Sequence, residues 1–126
     1  MPYRCELIDS VLHLELQGTV SGGELAAAFS EIEEVEARLG RMPNRITYMA
    51  GLLQTDLDYR AMDNLAMRRR QKQFPNAFRT ALVAPNPISF GFARMFQSLN
   101  TNPQIEIRIF SDERAALAWV AESQAD

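Results

Sequence analysis

The chain has 126 residues, 47% of them apolar, with 13 basic and 16 acidic side chains and a net charge of −3. That is enough material for one ordinary domain that buries about two-thirds of its unfolded surface without a disulfide staple; the only cysteine, Cys5, can make no intrachain bridge, which leaves an oxidising compartment unsupported. The acidic balance argues against nucleic-acid binding, and apolar runs far shorter than the ~20 residues of a membrane helix argue against an integral membrane protein. With no apolar signal region after Met1-Pro2-Tyr3-Arg4, the expectation is a soluble, cytoplasmic protein.

Residues 4–18 predict a hairpin. Leu12, Leu14 and Leu16 alternate with His13, Glu15 and Gln17, the period of a strand with one apolar face, and Asp9-Ser10 is the turn signal. Residues 21–39 predict a helix, with Leu25, Phe29, Ile32, Val35 and Leu39 at three- and four-residue spacing. Ser21 and Glu24 fit a capping box, and Gly40 is a left-handed stop. Residues 45–50 predict a strand with Ile46, Tyr48 and Ala50 on one side. A loop over Gly51-Leu52-Leu53-Gln54 then leads to Thr55 as the N-cap of a helix over 56–73. Its end carries Arg68, Arg69, Arg70 and Lys72, cations suited to the negative end of the helix dipole.

Residues 78–84 are the most continuously apolar strand and are read as central. Asn86-Pro87 opens a helix with Ile88, Phe92, Met95 and Leu99 as its stripe. Residues 104–110 alternate again, and Ser111 caps a last helix that packs through Ala116, Leu117 and Val120, with Trp119 at its flank. The order β-β-α-β-α-β-α-β-α predicts one α/β domain over residues 1–126. It has a five-stranded, mostly parallel sheet with an N-terminal hairpin. Adding each strand beside the last in one direction puts the helices mainly on one face and leaves the other polar, for solvent or a partner.

Few residues suggest chemistry. His13 is the only histidine, so neither a metal set nor a triad assembles around it, and it reads as a surface or interface side chain. Cys5 has no second cysteine to form a redox motif. Ser21-Gly22-Gly23 follows a strand, but Glu24 would repel a phosphate, and capping explains the segment better. Asn86 and Ser89 open an acid-free helix N-terminus and form the best anion candidate there, against the plainer reading of a cap. Arg68, Arg69 and Arg70 form a second anion candidate. Successive helical residues turn by about 100°, so the three cannot face one ligand. Pairing with the acidic first helix is the favoured alternative.

The second half resembles a known family. The segment Arg79-Thr80-Ala81-Leu82-Val83-Ala84-Pro85, the helix Phe90-Gly91-Phe92-Ala93-Arg94-Met95-Phe96 and the closing Ile109-Phe110-Ser111-Asp112-Glu113-Arg114-Ala115-Ala116-Leu117-Ala118-Trp119-Val120 are similar to the bacterial SpoIIAA-like group of STAS domains. The resemblance implies a non-enzymatic, cofactor-free regulatory domain that works by contact with a protein partner or with itself. Relatives switch by phosphorylation of a serine in a turn before the second helix. Here that stretch reads Gly51-Leu52-Leu53-Gln54-Thr55-Asp56, with Thr55 as the only hydroxyl and Asp56 placed to repel a phosphate. The broader STAS and Sec14-like grouping implies an alternative, a lipid or other apolar ligand held by Leu52, Leu53, Phe90 and Phe96. An enzyme of unrecognised type is the third reading.

Overall fold

The computed structural model describes residues 3–56 and 58–122, apart from the side chains of Thr55 and Arg68. The elements are β1 (Tyr3–Ile8), β2 (Val11–Val20), α1 (Gly22–Leu39), β3 (Asn44–Thr55), α2 (Tyr59–Gln71), β4 (Phe78–Val83), α3 (Pro87–Leu99), β5 (Ile105–Phe110) and α4 (Glu113–Glu122). The sheet order is β1-β2-β3-β4-β5. β1 and β2 pair antiparallel, and every other neighbouring pair is parallel. The hairpin turns through Asp9 and Ser10, both left-handed with φ of 49° and 69°, the geometry whose twist matches the flanking strands.

α1 is defined at both ends as its sequence predicts. Glu24 N–H donates to Ser21 Oγ at 3.1 Å, and Ser21 N–H donates back to Glu24 Oε1 at 2.9 Å. Gly40 adopts φ 70° and its N–H reaches Glu36 O. α1, α2 and α3 cover one face of the sheet. Leu12, Leu14, Leu16 and Leu82 meet Leu25, Phe29 and Ile32 of α1, Met62 and Ala66 of α2, and Phe92, Ala93 and Phe96 of α3.

Four expectations need correction. α4 lies on the opposite face, where Ala116, Trp119 and Val120 pack on Ile46, Ala81 and Val83. It follows the last strand and crosses to no other, so the one-direction rule does not bind it, and β3 and β4 have a second apolar face to cover. Trp119 is therefore buried, and Leu117 points outward. β4 is buried along nearly its whole length because helices cover both its faces, while β3 is the middle strand. The supposed loop over residues 51–54 is strand: β3 follows β2 to its end, with Gln17 beside Gly51 and Val20 beside Thr55, through register shifts near Gln17 and Gly18. Burial of Leu52 draws this segment onto the sheet. Thr55 consequently ends β3, and Asp58 caps α2 by accepting from Ala61 N–H at 2.8 Å. Finally, α3 is rotated from its expected stripe, burying Ser89, Phe92, Ala93, Phe96 and Leu99 and exposing Ile88.

One polar contact lies inside this layer. Arg69 of α2 donates to both carboxylate oxygens of Glu36 of α1, Nη1 to Oε1 at 2.8 Å and Nη2 to Oε2 at 3.0 Å, and both side chains are buried. The guanidinium lies 5.0 Å from the Phe74 ring and 5.8 Å from the Phe78 ring. Arg45 of β3 is buried on the same face and is electrostatically coupled to both Glu36 and Arg69. Among the described residues Glu36 is the only buried acid, so it serves two guanidinium groups. Removing one partner of a buried pair costs about 3–5 kcal/mol. Urea unfolding should show Glu36→Gln to be more destabilising than Arg69→Gln, because losing the acid leaves two cations uncompensated and losing Arg69 leaves Glu36 with Arg45. Equal losses would mean that Arg45 takes no part.

Candidate functional site

The parallel strands end along one edge, where α1, α2 and α3 begin. Each of these helix starts has first-turn amides engaged by the chain's own side chains. Ser21 and Glu24 close the start of α1, and Gly22 N–H donates to Asp56 Oδ1 at 3.0 Å, which ties α1 to the segment after β3. At α3, Ser89 N–H donates to Asn86 Oδ1 at 2.9 Å, Asn86 N–H donates to Ser89 Oγ at 3.3 Å, and Asn86 Nδ2 donates to Ala50 O at 3.3 Å. The anion candidate at Asn86 and Ser89 is thus a reciprocal cap with Ser89 fully buried. Replacing Ser89 Oγ and Asn86 Oδ1 by an anion would break the helix start.

This edge exposes four large apolar side chains among polar ones. Leu53 at the end of β3 is 69% exposed, Tyr59 at the start of α2 63%, and Ile88 and Phe90 in the first turns of α3 55% and 49%. The carboxylates of Asp56 and Asp58 lie at the same edge, each holding a backbone amide. Exposed apolar side chains mark contact surfaces where they gather into a patch.

The other predicted residues do not converge. Leu52 is buried in the core, and Phe96 stacks on Phe29 with ring centroids 5.9 Å apart, so neither faces a ligand or partner. The sequence spacing placed Phe96 off the apolar stripe; the rotation of α3 puts it on. Arg69 is spent on Glu36. Arg70 Nη1 bonds Asp63 Oδ1 at 2.6 Å and the Leu99 carbonyl at 3.1 Å. The Arg68 side chain and that of Thr55 lie outside the described residues. The space lined by Leu16, Phe29, Arg45, Thr47, Phe92 and Phe96 has a volume of about 20 Å³. That is room for about one water and not for an acyl chain. Among the described residues no three His, Cys, Asp or Glu side chains are grouped to hold a metal, and no helix is long and apolar enough to cross a membrane.

The pairing of the arginine run with α1 was expected, but the burial of Glu36 and of Arg45 was not. Glu36 lies four residues after Ile32, on the apolar stripe of α1, and that spacing was its signal. Arg45 sits in β3 facing the three-helix layer beside Thr80, its partner across the β3–β4 pairing. Its Nε and Nη1 have no hydrogen-bond partner among the described residues, nor does Thr80 Oγ1. Burial, reinforced by Arg69, pushes the Arg45 guanidinium down to about 10.

His13 is half-buried on the α4 side, 3.0 Å from the Tyr48 hydroxyl through Nδ1 and stacked on that ring at 5.8 Å. Desolvation pushes its pKa below the ordinary 6.5, against the opposing pull of Glu6, Glu113 and Asp9. A histidine disfavoured as a cation when folded binds more proton in the unfolded chain. Its contribution is therefore present above pH 6.5 and is lost as the pH falls toward the folded value. Urea midpoints at pH 7 and pH 5 should converge in His13→Gln relative to the parent; an unchanged difference would show that His13 is not the group responsible. Asn86→Ala should cost about 1 kcal/mol by the same measurement, and a neutral result would contradict the capping role.

No protein-family model matches the sequence, and no curated protein is significantly similar to it. Solved structures are similar in architecture. A DUF3478-family protein with a SpoIIAA-like fold from Shewanella loihica PV-4 gives a TM-score of 0.63 at 17% identity, over 94% of this chain and 91% of the other. The anti-sigma factor antagonist SpoIIAA in its unphosphorylated form gives 0.61 at 16% identity, over 96% and 99%. The likeness first read from the second half of the sequence therefore extends, as architecture, over nearly all of the chain, which has the SpoIIAA-like, STAS-type α/β fold.

Proposed function

We propose that this chain is a non-enzymatic regulatory domain of STAS type that binds a protein partner through the edge where its parallel strands end. The observation that carries this reading is the set of exposed apolar side chains Leu53, Tyr59, Ile88 and Phe90 at that edge. Supporting it, the first turns of α1, α2 and α3 are closed by the chain's own side chains, so the edge offers surface rather than free donors. The SpoIIAA structure it resembles is named as an anti-sigma factor antagonist, a protein defined by what it binds.

The contact operates without a phosphoswitch. A phosphate on Thr55 would enter a segment whose neighbours Asp56 and Asp58 are both acidic and both engaged in holding helix starts. Like-charge repulsion would work against the modification and against the two caps together.

Leu53→Ser with Phe90→Ser changes only exposed surface, which ordinarily alters stability by less than about 0.5 kcal/mol. Affinity-tagged parent and double variant, each expressed in the native host, should differ in what they capture: quantitative mass spectrometry is expected to show at least one protein retained by the parent and lost from the variant. Identical captured sets from two equally stable proteins would contradict the proposed surface. Phosphopeptide mapping of the same material should find Thr55 unmodified, and stoichiometric phosphate there would overturn the constitutive reading.

A further inference from the structure

We propose that two copies of this chain pair through the free edge of β1, antiparallel and centred on Cys5, so that their two sheets become one. This surface is separate from the strand-end edge assigned above.

Among the described residues β1 pairs only with β2, so its other side presents a row of backbone donors and acceptors. Protein edges are usually blunted by proline, charged side chains or a bulge. β1 has no proline or bulge within Tyr3–Ile8, its two charges, Arg4 and Glu6, are of opposite sign, and its six residues pair with β2 in unbroken register. The edge alternates Arg4 and Glu6 on one face with Tyr3, Cys5 and Leu7 on the other. Leu7 is 41% exposed and lines, with Leu39 of α1, a groove of about 810 Å³ between β1 and α1, while Ile8, 42% exposed, faces the opposite side.

The sequence of β1 selects its own partner. A closed two-fold pair of identical strands is antiparallel, and each face stays continuous only if residues of the same face lie opposite one another. Registers centred on Cys5 or on Glu6 use five of the six residues; those centred farther toward either end of β1 use three or fewer. Centring on Glu6 sets Glu6 against Glu6. Centring on Cys5 sets Arg4 against Glu6 twice, Tyr3 against Leu7 twice, and Cys5 against Cys5. Opposite charges directly across a strand pair stabilise it, and like charges destabilise it. Only the Cys5-centred register satisfies both faces: an ion-pair ladder on one, and apolar pairs on the side packed against α1. Arg4 is free to join that ladder, since it is largely exposed and its contact with Glu15 is a loose 3.6 Å.

Sedimentation velocity on the full chain at micromolar concentration should give a dimer. Arg4→Glu alone and Glu6→Arg alone each place like charges opposite and should weaken the dimer by about tenfold. The double exchange Arg4→Glu with Glu6→Arg restores opposite charges and should restore the dimer. A second readout is covalent. In this register the two Cys5 Cβ atoms lie about 4.5–5.5 Å apart. Copper–phenanthroline should therefore take two electrons and two protons from the paired thiols and leave one Cys5–Cys5 disulfide. A monomeric parent, single variants that dimerise normally, or a double exchange that fails to recover would each overturn the proposal. Circular dichroism melts of the four proteins establish that all are folded. The Leu53→Ser, Phe90→Ser variant should still dimerise, so failure of this interface and failure of the strand-end surface are read separately.

Discussion

The bidentate contact between Glu36 and Arg69 is the constraint on which the helical layer depends. It joins α1 to α2 beneath their exposed faces, where water cannot compete, and it must be satisfied geometrically for either charge to be tolerated. The surrounding chain is built to hold it. The Arg69 guanidinium lies against Phe74 and Phe78, and Asn102 Nδ2 donates to the carbonyls of Arg69 and Lys72 at 2.8 and 2.7 Å, closing the end of α2. Gln104 then exchanges two hydrogen bonds with the backbone of Phe74, which fixes the approach to β4. Arg45 adds a second cation to the same layer, in which Glu36 is the only buried acid among the described residues.

That arrangement decides what is left for function. Once α1 and α2 are fixed to each other and to the sheet, their starts and that of α3 lie along one edge, each closed by side chains within three residues in sequence. The proposed contact surface is made by Leu53, Tyr59, Ile88 and Phe90, which are exposed at this edge beside the caps. The opposite end of the sheet is tied down instead: Asn44 Nδ2 and Arg79 Nη1 donate to the Val120 and Trp119 carbonyls at the end of α4, at 2.9 and 2.8 Å.

The element order, the hairpin turn, the α1 caps and the Asn86 cap were legible because each is encoded locally, within about four residues. The SpoIIAA-like likeness was legible too, from the third helix and the final strand–helix pair. What was not legible depended on long-range packing. Residues 51–54 look like a loop until Leu52 finds its place in the core beside β2. α4 looks like one more helix of the same layer until Ile46, Ala81 and Val83 demand cover from the other side. The rotation of α3 exchanges Ile88 for Phe96 in the core, where Phe96 stacks on the Phe29 ring of α1, a contact that spacing along α3 alone does not reveal. For the site, the arginine run was visible as charge, but its division between Glu36 and Asp63 needed the folded geometry.

Site-specific photocrosslinking in the native host tests most directly whether the strand-end edge is a surface of contact. A benzophenone amino acid placed at Phe90 should give a discrete adduct with another protein, while the same group at Glu122, exposed at the other end of the sheet, should give none. An adduct pattern that is the same from both positions, or no adduct from Phe90 in a folded and abundant protein, would contradict it.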